Sequence, residues 1–443
     1  MRNVKSNKTI LFFKWSFFLL LSLQTLKSYS QDCPDSNFPP FYQCWDIAGF
    51  VAEYPNCSCL PSTLLLPQWG VESLSDYPAL AQLDSISGNL SCNECSVNSL
   101  EGLESITYVG GSVIIDEPHG TLLDLNGLNN LSYVGWDFRL SECSDLESTS
   151  GLDNLLHIGN NIWFDDNSEL IEIIGFENIH HLPGQLYFNE QDAMIDMNGF
   201  ENLISIGNNL RIWDNAKLKS LDGIDHVELI SGDLEIDNND SLVQVDALNQ
   251  LNTLGENLIL SKNSMLDNIE GLTSIVNFNG EIIIYENALI TSLNGIENIQ
   301  ADSIMNLVLL DCNSLSICSQ PNICQYLVNS MGPSTISSNY NGCNSASEIS
   351  QVCAGIGVDE INSELLFNVF PNPIGDESIF ISKFLKPGME LHFYNCLGSR
   401  VKIIKSSGSN QLLIDRKGLT QGIYQIRMVH DNEVIDTIKI LVR

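Results

Sequence analysis

The chain has 443 residues, 44% of them hydrophobic, with 20 Lys and Arg against 55 Asp and Glu, and that length allows two or three domains, each with an ample core. The first 30 residues hold five of the basic and none of the acidic side chains, and Glu360 onward holds ten and nine, so residues 31–359 carry five basic against 46 acidic, a net −41. A phosphate-binding face needs clustered Lys and Arg, so this balance excludes DNA, RNA and anionic lipid as partners, and the abrupt change in charge sets a domain boundary near residue 360.

The N-terminus opens on Arg2, Lys5 and Lys8, runs apolar from Ile10 to Leu23 with one interruption at Lys14, and ends in Ser28-Tyr29-Ser30. That pattern predicts a signal peptide over 1–30, cleaved before Gln31, and the apolar run is too short for a membrane span. No later stretch approaches the length of a transmembrane segment.

The 13 cysteines all lie beyond that segment, six between Cys33 and Cys95, five between Cys312 and Cys353, with Cys143 and Cys396 apart. In an exported chain, clusters at the two ends of a repeat read as disulfides closing its caps. The candidates are Cys33, Cys44, Cys57, Cys59, Cys92 and Cys95 at one end and Cys318, Cys324, Cys343 and Cys353 at the other. Zinc is the rival, but the clusters hold no histidine and only one C-x₂-C pair, Cys92 and Cys95. No metal or cofactor is expected.

Between the clusters a repeat dominates. A small residue followed by Leu, Ile or Phe recurs at Gly102, Gly127, Gly151, Gly175, Gly199, Gly223, Ala247, Gly271 and Gly295, spaced 25 once and then 24 throughout. With a degenerate coil near Ala79, about ten coils fill 79–318. Leu210 and Ile212 alternate as in a strand and point inward, and the pair recurs as Ile162/Phe164, Leu186/Phe188, Leu234/Ile236, Leu258/Leu260 and Ile282/Ile284. Gly207 and its counterparts Gly110, Gly135, Gly159 and Gly255 mark a corner. Asn215 recurs as Asn167, Asn239, Asn263 and Asn287, which predicts an inward amide ladder with Cys143, a buried free thiol, in one of its slots. The fold class is thus all-β: a right-handed parallel β-solenoid with disulfide caps, followed by a small antiparallel β-sandwich.

The recurrent Gly-Leu-x-x-Leu, Ile-Gly-x-x-Leu-x-Ile and x-x-Asn-x-x-Leu elements resemble the receptor L-domain family, a leucine-rich-repeat-like solenoid of receptor ectodomains and secreted bacterial proteins. The resemblance implies a recognition module over 79–318. Residues 31–78, with a short helix over 44–59, form the expected N-terminal cap. A helix at Pro321-Asn-Ile-Cys324 within 319–355 forms the C-terminal one, its four cysteines pairing among themselves in one of three ways. A linker spans 356–365.

From Leu366 short alternating runs such as Ser378–Ser382, Glu390–Tyr394 and Ile423–Met428 replace the repeat. Val369-Phe-Pro371-Asn372-Pro373, Leu397-Gly398 and Leu419-Thr-Gln-Gly422-Ile-Tyr424, in that order at the end of the chain, resemble the type A C-terminal sorting domain of type IX secretion. The resemblance implies that the machinery of that pathway is a partner and that the protein reaches the outer surface through the periplasm. Cys396, alone there, is expected to be a free thiol.

No H-E-x-x-H, Walker loop, dinucleotide fingerprint or Ser-His-Asp set is present, so no catalytic residue is assigned and the chain is read as non-enzymatic. A polysaccharide-active β-helix enzyme and a passive surface spacer are the alternatives. One outward column stands out. Between the inward pairs the residues run Arg139, Trp163, Tyr187, Arg211, Glu235, Ile259 and Ile283, with Trp213 two positions beyond Arg211. At about 4.8 Å per rung, Trp163, Tyr187, Arg211 and Trp213 form a strip suited to sugar rings or a protein's apolar patch. An outward strip fills no core, so truncating Trp163 and Tyr187 is expected to cost little stability.

Overall fold

A computed structural model describes Cys33, 41–70, 73–356, 367–370, 377–382, 388–395, 398–406, 411–430 and 433–442. The expected signal peptide, most of the 356–365 linker, Cys396, Pro371, Asn372 and Pro373 lie outside the described residues. The chain divides into two compact units, one of residues 1–317 with 331–341, the other of 318–330 with 342–443.

The first unit is a parallel β-solenoid. One face is a sheet of thirteen parallel strands, from Phe41–Gln43 to Ser334–Ser337, in chain order. A second face carries two five-stranded parallel sheets of two-residue strands, one from Cys59–Leu60 to His157–Ile158, the other from His181–Leu182 to Asn277–Phe278. On the third face the coils touch through isolated bridges such as Ser148 with Glu172.

The register is the one the repeat dictates. Leu186 pairs with Ile162 and Leu210, and Phe188 with Phe164 and Ile212, each partner lying one full repeat away along the chain. Period-two alternation sends one side of every strand inward, and there the interior is apolar: Phe138, Phe164, Phe176, Phe188 and Phe200 are fully buried. Phe164 lies flat on Phe188 with ring centroids 5.0 Å apart, and Phe176 on Phe200 at 5.1 Å.

The solenoid extends past both expected limits. Tyr42 pairs with Leu64, Leu64 with Leu90, and Leu309 with Ile336, so these outer coils depart from the period of the central ones, the first shorter and the other two longer. Their irregular length hides them from an alignment on the regular repeat. The N-terminal helix is also shorter than expected. A single 3₁₀ turn, Cys44–Asp46, leads into a helix over Ile47–Glu53, which buries Ile47 and Phe50, and Cys59 already belongs to a strand.

Glycine at the head of the coil has a definite task. Gly199 and Gly223 sit at φ +109° and +111°, and a Cβ on Gly223 would lie 2.0 Å from the carbonyl oxygen of Met197 on the preceding coil. Only glycine combines that backbone with that approach. Where the column reads Ala247 the chain leaves this conformation and turns into a 3₁₀ segment, Asp246–Gln250, and Gly271 follows it in Glu270–Leu272.

The amide ladder is present. The backbone N–H groups of Cys143, Gln191, Asn215, Asn239 and Asn263 donate to the Oδ1 atoms of Asn167, Asn215, Asn239, Asn263 and Asn287 at 2.9–3.1 Å. Each slot follows a non-glycine residue of positive φ, including Glu142, Asp166, Glu190, Asp214, Asn238 and Lys262, and the ladder amides supply the bonds that hold this tight turn. Cys143 is a buried free thiol in its slot, as expected, and Cys312 is another. Burial pushes the Cys143 thiol up to about 12, so it stays protonated at neutral pH.

Disulfides join Cys33 to Cys57 and Cys92 to Cys95. Two candidates are corrected: Cys44 and Cys59 are free thiols. Cys44 faces the interior of its coil, its Sγ 3.6 Å from the carbonyl of Leu65, while Cys59 Sγ lies 3.3 Å from Ser87 Oγ. Neither meets a second sulfur among the described residues.

In the second unit the helices Pro321–Val328 and Ala346–Ile356 are stapled by Cys318–Cys343 and Cys324–Cys353, one of the three pairings the sequence left open. The rest is an antiparallel three-stranded sheet and an antiparallel four-stranded sheet. Its core gathers Leu391, Phe393, Leu419, Tyr424, Ile426 and Met428.

Candidate ligand-binding face

The long sheet brings the expected strip together. Trp163 stands between Arg139 and Tyr187 on adjacent rungs, and Tyr187 between Trp163 and Arg211. The Trp163 and Tyr187 ring centroids are 4.2 Å apart, and Trp213 meets Tyr187 edge-on at 5.6 Å. The Arg211 guanidinium lies over the Trp213 ring at 5.3 Å while its Nε donates to Glu235 at 2.8 Å. The cation is therefore anchored on two sides, by a ring face and by a carboxylate.

Exposure along the strip is uneven. Trp163, Arg211 and Trp213 are half-buried, but Tyr187 is only 8% exposed. The two tryptophans and Arg211 cover it, and burial pushes its phenol up to about 12. The expectation that Tyr187 could be truncated at little cost is therefore corrected. A ring buried between two other rings contributes about 2 kcal/mol although it points away from the core. The indole N–H of Trp163 is buried without an acceptor among the described residues.

A second aromatic column, which the inward-pair pattern does not reveal, lies on the short-stranded face. Tyr108, Tyr133 and His157 occupy consecutive rungs, with Tyr108 flat on Tyr133 at 4.8 Å and Tyr133 flat on His157 at 4.5 Å. Trp136, just past the Gly135 corner, is 62% exposed. The signal was available: each stacked ring directly precedes the inward Val or Ile before the corner residue. Since these rings spend their faces on one another, the column stiffens the sheet.

Many acidic side chains have structural partners. Glu104, Glu177, Glu201 and Asp225 each fold back to accept from the amide of Gly102, Gly175, Gly199 and Gly223 at 2.9–3.0 Å. These are caps at the head of the coil, repeated with its period. Among the described residues no group of three or more His, Cys, Asp or Glu is arranged to hold a metal ion.

Three sorting-motif residues in the C-terminal domain are likewise structural. Tyr424 is buried, and its hydroxyl donates to the carbonyl of Thr420 and accepts from the Thr420 amide, both at 3.0 Å. Gly398, at φ +74°, closes a turn in which its N–H donates to Asn395. Gly422 opens the strand Gly422–His430 that pairs with two neighbours.

Residues 368–443 match the family described as the secretion system C-terminal sorting domain. No curated protein and no solved structure matches the chain. The sorting domain marks this as a secreted or cell-surface protein exported by the type IX pathway, with that machinery as a partner. No described helix is long and apolar enough to cross a membrane. Deleting 366–443 is expected to leave the protein in the periplasm with its solenoid folded, read by cell fractionation and circular dichroism. Normal surface delivery of the truncated chain would overturn the tail's role.

Proposed function

We propose that the solenoid is a non-enzymatic recognition module displayed or released at the cell surface, an adhesion or ligand-capture protein rather than a catalyst. One observation carries the reading: Trp163, Tyr187, Arg211 and Trp213 converge on one patch of the long sheet's outer face. Flat rings with a fixed guanidinium suit the faces and hydroxyls of a sugar, or an aromatic and acidic patch on a protein. The resemblance of the repeat to receptor L-domains, modules of receptor ectodomains, supports the same reading. So does the strictness of the coil, in which many acids are committed to capping turns.

Tyr187's burial favours a second reading, a passive spacer in which the strip only reinforces the sheet. A double substitution separates them. Trp163→Ala with Trp213→Ala removes the two partly open rings and leaves Tyr187 in place. On a glycan and protein array, the mature protein is expected to retain a ligand that the double variant loses by about tenfold or more, as when interface anchors of about 1–2 kcal/mol are removed. Retention of every ligand by the variant would leave the spacer reading standing.

A further inference from the structure

On the third face, away from the aromatic strip, the outward column runs Leu123, Glu147, Ile171, Ile195, Lys219, Val243. Ile171 and Ile195 are 59% and 45% exposed on adjacent coils. With Ile174, only partly buried, they floor a groove of about 470 Å³. Its lining is acidic: Glu147 one coil before Ile171, Glu172 and Asp196 next to Ile171 and Ile195 on successive coils, and the capping carboxylates of Glu177 and Glu201. No Lys or Arg lines it. The next side chain along the column, Lys219, is exposed and marks the end of the groove.

This pairing is unusual for the chain. Elsewhere on this column a single apolar side chain stands among polar ones, which needs no explanation. Here three isoleucines share one groove with five carboxylates, in a unit whose net charge is strongly negative. A purely apolar partner would leave the carboxylates desolvated and unpaired, and a purely polar cation would gain nothing from the floor. We propose that this groove binds a short cationic amphipathic peptide segment, its aliphatic side chains on Ile171, Ile174 and Ile195 and its Lys or Arg side chains on the surrounding carboxylates.

The test uses the full mature chain and two synthetic octapeptides of equal charge, one alternating Lys and Leu, the other Lys and Ser, followed by fluorescence anisotropy. The Lys-Leu peptide is expected to bind at least tenfold more tightly than the Lys-Ser peptide, and more weakly as salt rises. Ile171→Ser with Ile195→Ser should abolish that preference, and Glu147→Gln with Glu172→Gln should weaken binding severalfold. Val243→Ser, on the same column outside the groove, should change nothing. The substituted positions are all exposed, so the variants fold. Equal binding of both peptides, or the same affinity in every variant, would mean attraction to the diffuse negative charge of the solenoid, and the groove would not be a site.

Discussion

Phe188→Ala is expected to destabilise the solenoid by about 3–5 kcal/mol, the range for emptying a fully buried aromatic site. The ring has no exposed surface, lies flat on Phe164 at 5.0 Å and meets Phe200 edge-on at 5.9 Å. Phe164 cannot collapse into the gap, because its strand, Ile162–Asp165, is paired on both sides. Denaturant titration, read by far-ultraviolet circular dichroism, should show an earlier midpoint for the first unit. Tyr187→Ala, on the same strand but the outer side, should cost about half as much, since only the stack with Trp163 and Trp213 is lost. A loss below about 1 kcal/mol for Phe188→Ala would contradict the inward register.

The contrast between those two residues shows what the sequence could deliver. Alternation settles which side of a strand faces in, and it places Phe188 inside and Tyr187 outside. It does not say whether an outward ring will be covered by its neighbours on the rungs above and below. Tyr187 is covered because the flanking rungs carry Trp163 and Arg211 and because Trp213 reaches back across it, a matter of side-chain reach rather than of period. Similar limits apply elsewhere. The ladder and the corner glycines repeat with the coil and are visible in one dimension. The outer coils, which break the period, are not, and neither is the choice of partner for each cysteine. Ala247 was legible as a break in the glycine column. That the chain turns into a 3₁₀ segment there was not legible, since Gly271 takes the same turn in the next coil while Gly223 keeps the left-handed backbone in the one before. The acidic groove needed the structure as well, because Ile171, Ile174 and Ile195 become neighbours only when two coils stack.

Asn239→Leu carries the second large effect, and it tests whether the ladder holds the turns. Asn239 is fully buried. Its Oδ1 accepts from the backbone N–H and the side-chain Nδ2 of Asn215, both at 3.1 Å, and its own Nδ2 donates to the carbonyls of Ile212 and Asp237 at 2.9 and 3.0 Å. Leucine has nearly the same branched shape and is somewhat larger, so no cavity arises. What is lost is the acceptor for the Asn215 amide and the donor to the Ile212 and Asp237 carbonyls, of which the Asp237 carbonyl keeps the Asp214 N–H. At roughly 1–3 kcal/mol for each buried group left unpaired, the variant should lose about 3–5 kcal/mol. Cys143→Ala gives the comparison, because the backbone N–H of Cys143 donates to Asn167 whatever its own side chain. Only the thiol's weak contacts with the carbonyls of Ser141 and Ile115 disappear, and about 1 kcal/mol should follow. If Asn239→Leu proved no more costly than Cys143→Ala, the positive-φ turns would be held by strand pairing alone. The expected outcome is the reverse: the amides make the turn at Asn238 sustainable, and the recurrence of asparagine in that slot follows from the bonds its side chain supplies to the coils on either side.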